Sequence, residues 1–393
     1  MSKEYMIIMN ERTLAFIKQA FKEYYFKNAE KIIAPIRIKE REFGYISFDK
    51  IMIRHLSFQN EGDLRAFFIK EIPRSIYYSC AYYYEPTLTM DKKGWNGADL
   101  IFDIDADHIP TKCKKEHDYW ICKDCNLIDK GKRPDKCPKC EGMRIDKENW
   151  VCHSCLEATK DEVIKLIDFL LEDFSISREN CKIHFSGSRG YHVTVEQSDL
   201  EELDQLARNE ISDYISGIGL SLESLGISKR VSYEKMHRIL PLATEFGWRG
   251  RIGKFFSEMD FEDYGNIDIK DKIIFFHDKM KYKNFDNFIR EIVEKLSVKI
   301  DAMVTTDIHR IFRLPNTLHG STGMIKKSCK DLLSFNPLID AVVLSEEPLK
   351  IFVDHSPIFT LNGNLFGPYK SEIVNLPIMA AVYLIGKGVA EVY

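Results

Sequence analysis

No run of eighteen or more apolar residues occurs in this sequence, which argues against a membrane-spanning helix. The opening stretch, MSKEYMIIMNERTLAF, breaks its apolar run with charges, so we expect no secretory signal and a cytoplasmic protein with no membrane partner. Neither sign of charge dominates: 56 Lys and Arg face 60 Asp and Glu, for a net charge of −4 and a pI near 6.3. That balance excludes a uniformly basic coat protein for nucleic acid, so any polyanion must be met by a local groove. Low-complexity tracts and repeats of solenoid length are also missing, which removes the disordered and solenoid classes. What remains is a chain of 393 residues, 45% hydrophobic, 30% charged and 12% aromatic, ample for a large buried core.

The pattern along the chain is mixed α/β (α+β). Apolar residues recur at helical spacing from Glu11 to Lys31, and strand-like alternation follows at Phe43 to Phe48 and Met52 to Phe58. A helix is expected over Glu61 to Ile72, an aromatic strand over Ile76 to Tyr84, and another strand in ADLIFDIDA. A Cys- and Lys-rich segment then precedes an amphipathic helix at Lys160 to Glu172 and the strands of KIHFSGSRGYHVTV. We divide the chain into an N-terminal part of an α/β core (1–110), a metal-binding insertion (111–156), more core (157–199), a mainly helical subdomain (200–299) and a C-terminal part of the core (300–393).

In DLIFDIDAD a two-residue period puts Leu100, Phe102, Ile104 and Ala106 on one face and Asp103, Asp105 and Asp107 on the other. Neighbouring carboxylates repel, and a divalent cation such as Mg²⁺ or Mn²⁺ is their natural partner. A pair of such ions can serve the attacking and leaving oxygens of a phosphoryl transfer. The same pattern also describes a solvated polar strand face. Asp301 opens a further strand-like run, IDAMVTTD, in which Asp307 is its rival; either could instead be an ordinary helix cap.

Phosphate chemistry is suggested twice. Ser186-Gly-Ser-Arg189-Gly190, followed by His192, joins two strand-like runs and combines flexible backbone with a hydroxyl, a guanidinium and an imidazole. A plain hairpin would look similar. Downstream, HRIFRLPNTLH places Arg313 and His319 after Asp301, an order that suits a metal-bound triphosphate.

Seven of the ten cysteines lie between Cys113 and Cys155, mostly in C-x-x-C pairs. In a reducing compartment this reads as metal binding rather than disulfides. The pairs Cys122/Cys125, Cys137/Cys140 and Cys152/Cys155, with Cys113 and His117, make eight ligands and therefore two zinc ions. Spacing alone leaves the partition open, and His108 and His153 are possible substitutes. Cys80, Cys181 and Cys329 are isolated and read as packing residues.

Taken together, FDIDAD, SGSRGYH and ID…RLPNTLHGSTG, in this order, resemble the signature of the small catalytic subunit of archaeal/eukaryotic-type DNA primases. The resemblance extends to REFGY, RHLSF and the tail LFGPYKSEIVNLPIMAAVYLIGKG. It implies a mixed-sheet catalytic core with metal ligands at Asp103, Asp105 and Asp301, leaving Asp107 and Asp307 outside. It implies nucleotide contacts from Ser186, Arg189, His192, Arg313 and His319, and more weakly from Glu42 and Arg54. The family often has lysine at the position of Arg313. The resemblance also assigns one zinc to Cys113, His117, Cys152 and Cys155, leaving Cys122, Cys125, Cys137 and Cys140 as an inserted ribbon. The implied activity is template-directed synthesis of RNA, and in archaea often DNA, primers on single-stranded DNA with two Mg²⁺ or Mn²⁺ ions. The implied partners are nucleoside triphosphates, the template, a large primase subunit and the replication machinery. Two other readings compete: a repair-type primase-polymerase, and a zinc-ribbon nucleic-acid-binding subunit without catalysis.

Overall fold

The computed structural model describes residues 10–226, 237–259 and 268–393, apart from the side chains of 281–283. The N-terminal stretch through residue 9 and parts of the expected helical region, 227–236 and 260–267, lie outside the described residues.

Two four-stranded antiparallel sheets build the centre. In the first, Ile311–Arg313, Ser75–Ser79, Phe43–Ile46 and Met52–Leu56 lie side by side in that order. Helices Glu11–Asn28 and Glu61–Glu71 pack on it, each opened by an asparagine, Asn10 or Asn60, whose side chain accepts a first-turn N–H. In the second sheet the order is Lys327–Ser328, Cys181–Phe185, Gly190–Val195 and Leu100–Asp105. The helix His153–Glu172 buries Val163, Leu166, Ile167 and Leu170 in the core that holds Phe102, Ile104, Ile183 and Val193. One face of the acidic strand is thus committed to packing. Its opposite face is free to carry carboxylates.

The expected strand from Ile76 to Tyr84 is broken at Cys80, where the chain leaves the first sheet and forms a hairpin-like pair, Ala81–Tyr83 with Trp95–Ala98. Cys80 donates its N–H to Arg310 O and accepts from Asp99 N, so this break ties the first sheet to the start of the acidic strand. Arg41, 1% exposed, reinforces the joint through Ser79 O, Cys80 O, Tyr82 and Asp99 at 2.8–2.9 Å. A guanidinium so deeply buried is tolerated because its charge is paired and its donors are used.

Two expectations change here. Asp301 does not sit in a strand: it is the N-cap of the short helix Ala302–Thr306, its Oδ1 accepting from Met303 N at 3.0 Å. The helix expected at Lys160 begins earlier, at His153, because Cys152 turns the chain into it. From 200 to 299 the described elements are helices, chiefly Gln205–Ser216, Gly247–Glu258 and Ile269–Leu296. The C-terminal tail adds the strands Pro348–Ser356, Tyr369–Pro377 and Ala390–Val392, covered by the apolar helix Ile378–Lys387. Among the described residues no helix is long and apolar enough to cross a membrane.

Candidate active site

Residues of both sheets and of the loops that leave them line an open cavity of about 380 Å³. Asp103 and Asp105 line it from the acidic strand, Ser186, Ser188, Arg189 and His192 from the Gly-rich hairpin, and Arg310, Arg313, His319 and Ser321 from the segment after Asp301. Strand register accounts for the first meeting: His192 pairs directly with Asp103 and Gly190 with Asp105, so their side chains share one face. Only glycine fits at 190, since a Cβ there would lie 2.2 Å from Asp105 Oδ1 and 2.4 Å from Ile104 O. Gly187, at φ +86°, turns the hairpin, and the Ser186 hydroxyl fastens it by accepting from Gly190 N at 3.2 Å.

Asp301 is not among the residues lining the cavity but stands beside Asp103, although about two hundred residues of chain separate it from the acidic strand. Its backbone N–H donates to Asp103 O at 2.9 Å. Burial, then the charges of Asp105 and Asp301, push the Asp103 carboxyl up to about 8. Burial also raises Asp105, against the lowering pull of Arg189. Asp103 Oδ1 is buried and has no hydrogen-bond partner; His192 Nε2 is 3.4 Å away, and burial holds that imidazole neutral. A carboxylate cluster with an unsatisfied buried oxygen fits a divalent cation, whose charge would replace the missing compensation.

Opposite these acids the cavity presents a guanidinium and an imidazole with spare donors. Arg313 is 8% exposed; one amino group lies 3.5 Å from Tyr77 Oη, and the other, Nη1, is buried with no hydrogen-bond partner. His319 accepts from Ser321 N at 3.2 Å and lies 3.0 Å from Ser321 Oγ through Nδ1, which leaves Nε2–H as its free donor. Burial keeps this ring neutral. Buried donors left unsatisfied in a cavity are the signature of an anionic ligand.

Glu42 and Arg54 lie outside the residues lining the cavity. The Glu42 carboxylate is buried and already taken up by Arg54, at 2.9 and 3.1 Å, and by Lys93. Asp307 turns back on its own loop, accepting from His309 N at 3.0 Å. Arg310, Ser188, Tyr77 and Ser321 were not singled out from the sequence, yet they line the cavity. Arg310 could have been noticed, three residues before Arg313 in one basic run. Lys326 does not line the cavity, but it lies close to Arg313: it is 1% exposed, and burial, then the charge of Arg313, push it down to about 7.

The cysteines form two groups that could each hold a metal ion: Cys113, His117, Cys152 and Cys155, and Cys122, Cys125, Cys137 and Cys140, with ligand atoms all within 4.8 Å of one another in each. Sulfur pairs stand 3.4 Å apart for Cys113/Cys155, 3.9 Å for Cys152/Cys155, and 3.6 Å for both Cys122/Cys140 and Cys125/Cys137. A tetrahedron with ~2.3 Å metal–sulfur bonds has edges of about 3.8 Å. Around the second group the two C-x-x-C turns repeat one another. Cys122 O accepts from Asn126 N and Cys137 O from Glu141 N, and Asn126 and Glu141 both have positive φ, 55° and 59°. His108 and His153 belong to neither group.

Comparison with known proteins agrees with this geometry. The sequence model of the DNA primase small subunit matches residues 128–330. DNA primase small subunits of Nitrosopumilus maritimus and Cenarchaeum symbiosum are 35% and 34% identical to the chain, each alignment covering 98% of it and 100% of the relative. That of Archaeoglobus fulgidus is 32% identical, covering 96% of the chain and 98% of the relative. A chain with this cavity, these two cysteine groups and full-length relatives of one kind belongs to the DNA primase small subunit family.

Proposed function

We propose that this primase, a DNA-directed nucleotidyltransferase, binds and joins nucleotides in the cavity between its two central sheets. The observation that carries the reading is the confrontation of Asp103 and Asp105, with the charge of Asp301 beside them, with the unpartnered Nη1 of Arg313 in a single open space. Two Mg²⁺ or Mn²⁺ ions held by the three aspartates would ease attack of a 3′-hydroxyl on the α-phosphate and stabilise the departing pyrophosphate. Arg313 Nη1, the Arg189 guanidinium and His319 Nε2–H are the donors for the triphosphate oxygens. The Ser186 hydroxyl, already accepting from Gly190 N, keeps its own proton to donate. His192 stays neutral and stands against Asp103, where it orients that carboxylate without carrying a competing charge. Glu42 and Arg54 act indirectly, by bracing the first sheet. Zinc is the ion that suits the two tetrahedral thiolate groups, and its role there is structural. The relatives are named as small subunits, which implies a larger partner subunit in the cytoplasm and a single-stranded DNA template.

The deciding experiment is incorporation of labelled nucleotides on single-stranded DNA, with and without an annealed primer. Asp105→Asn removes a ligand charge at nearly constant volume, so incorporation should fall to background while the melting temperature barely changes. Asp307→Asn, whose side chain only caps its loop, should remain active. Wild-type rates from Asp105→Asn would overturn the assignment.

A further inference from the structure

Arg189 is claimed by two carboxylates. Its Nε lies 3.2 Å from Asp105 Oδ2 and 3.0 Å from Asp107 Oδ2. On the reading above, Asp105 is committed to a divalent cation when nucleotide is bound, which leaves Asp107 as the only one of the two free to keep hold of the arginine. Asp107 stands just past the acidic strand, in the turn Ala106–His108. Its Oδ2 also accepts from Asn149 Nδ2 at 2.8 Å.

Asn149 belongs to the cysteine-rich segment. Lys387 Nζ, from the C-terminal helix, fixes its carbonyl at 2.7 Å. The next residue, Trp150, donates its N–H to Asp118 Oδ1 at 3.1 Å, and the same oxygen lies 2.9 Å from His117 Nδ1. Asp118 is 2% exposed, and its carboxylate leaves His117 Nε2, 3.2 Å from Cys155 Sγ, facing the other ligands. The turn that carries Asp107 is held from the same side. Lys114, adjacent to Cys113, donates to Ala106 O, Asp107 O and Ile109 O at 2.6–3.1 Å. Asp107 is therefore gripped through its side chain and through its backbone by residues next to the four-ligand group of Cys113, His117, Cys152 and Cys155.

We infer that Asp107 and Asn149 are positioning residues that hold Arg189 over the nucleotide cavity and couple triphosphate binding to the seating of that four-ligand group. This rests on the nucleotide site proposed above. A cation on a half-exposed side chain samples many rotamers, and a fixed second carboxylate restricts it to the one that faces the phosphates. Asp107, which the sequence left without a task, thereby acquires one.

The test is steady-state kinetics at saturating template together with equilibrium binding of a fluorescent nucleoside triphosphate. Asp107→Asn should raise the nucleotide KM, and weaken triphosphate binding, on the order of tenfold, with kcat nearly unchanged. Asn149→Ala should act in the same direction more weakly while zinc content stays unchanged. In an Arg189→Ala background Asp107→Asn should have no further effect, because the group it positions is gone. Additive losses in the double variant would overturn the inference, as would a shifted dependence on Mg²⁺ concentration with nucleotide affinity intact, which would make Asp107 a metal ligand. Should Asn149→Ala misfold, Asp107→Asn alone carries the comparison. A wild-type chain that binds triphosphate without priming would defeat the proposed reaction, and the binding cycle would still decide this coupling.

Discussion

The two cysteine groups offer the same kind of ligand in different settings. The ligands of Cys113, His117, Cys152 and Cys155 come from a loop, a one-turn helix and the start of the long helix that covers the second sheet. Cys155 and His117 are buried, and Trp150 between them packs on Phe359 and Tyr383 of the C-terminal tail. The four cysteines from Cys122 to Cys140 instead close a small three-stranded sheet with its own core of Trp120, Cys122, Cys137 and Ile145. Cys140 is exposed. A metal at the first group would tie distant parts of the catalytic core together, whereas a metal at the second would organise only its own loop. Similar ligand chemistry, three thiols and an imidazole against four thiols, therefore does not imply equal consequence; connectivity decides it.

The strongest way to sharpen this contrast is to break the first group. Cys155→Ala removes a buried ligand from a site of a type worth on the order of 10 kcal/mol in apparent binding energy, against a typical net stability of about 5–15 kcal/mol for a whole domain. The expected outcome is an insoluble protein, or one whose catalytic core melts at a much lower temperature without priming activity. A soluble variant with a wild-type melting curve would show that the group is as peripheral as its neighbour.

A milder intervention addresses the second group. Cys122 pairs directly with Ile145 across the small sheet, so residues 123–144 can be replaced by an Asn-Gly turn that closes the hairpin in register. That removes Cys125, Cys137 and Cys140 and should reduce zinc from two ions per chain to one. Primer synthesis should survive; the deletion also takes away the cationic side chains of Lys130, Lys132 and Arg133, so any phosphate contact they make would show as a weaker salt dependence of template binding. Loss of both ions would mean that the two groups do not fold separately.

Much of this site was legible in the sequence because its logic is local. The alternation in Leu100–Asp105 fixes which face is acidic, and the hairpin glycines fold His192 back opposite His184 locally, whereas the register that sets His192 against Asp103 joins segments far apart in the chain. The division of the cysteines into two groups was not legible from spacing, since three equivalent pairs permit more than one partition; the family resemblance supplied it. Asp301 read as a strand residue because Ile300, Met303 and Val304 are apolar, yet its neighbours close a helical turn. The burial of Glu42 under Arg54 and Lys93, the cavity face of Arg310 and the reach of Asn149 to Asp107 all depend on contacts between distant segments. No periodicity encodes those.

The smallest expected effect concerns the place where the small sheet is fastened to the C-terminal sheet. His355, on the strand Pro348–Ser356, lies 3.0 Å from Glu148 Oε2 through Nε2 and 3.0 Å from Asp354 Oδ2 through Nδ1. Burial lowers its pKa, but the Glu148 and Asp354 carboxylates outweigh that and hold it above the usual histidine value. A raised folded-state pKa means the tether contributes fully below about pH 6.5 and is lost as pH rises through the elevated value. The ion pair is only partly shielded from solvent, so the contribution should not exceed about 1 kcal/mol. Melting temperatures measured from pH 5.5 to 9 should therefore decline slightly more for the wild type than for His355→Gln, with the two curves converging at the alkaline end. If the difference instead grew toward high pH, His355 would be acting as a neutral hydrogen-bonding group rather than as the charged partner of Glu148 and Asp354.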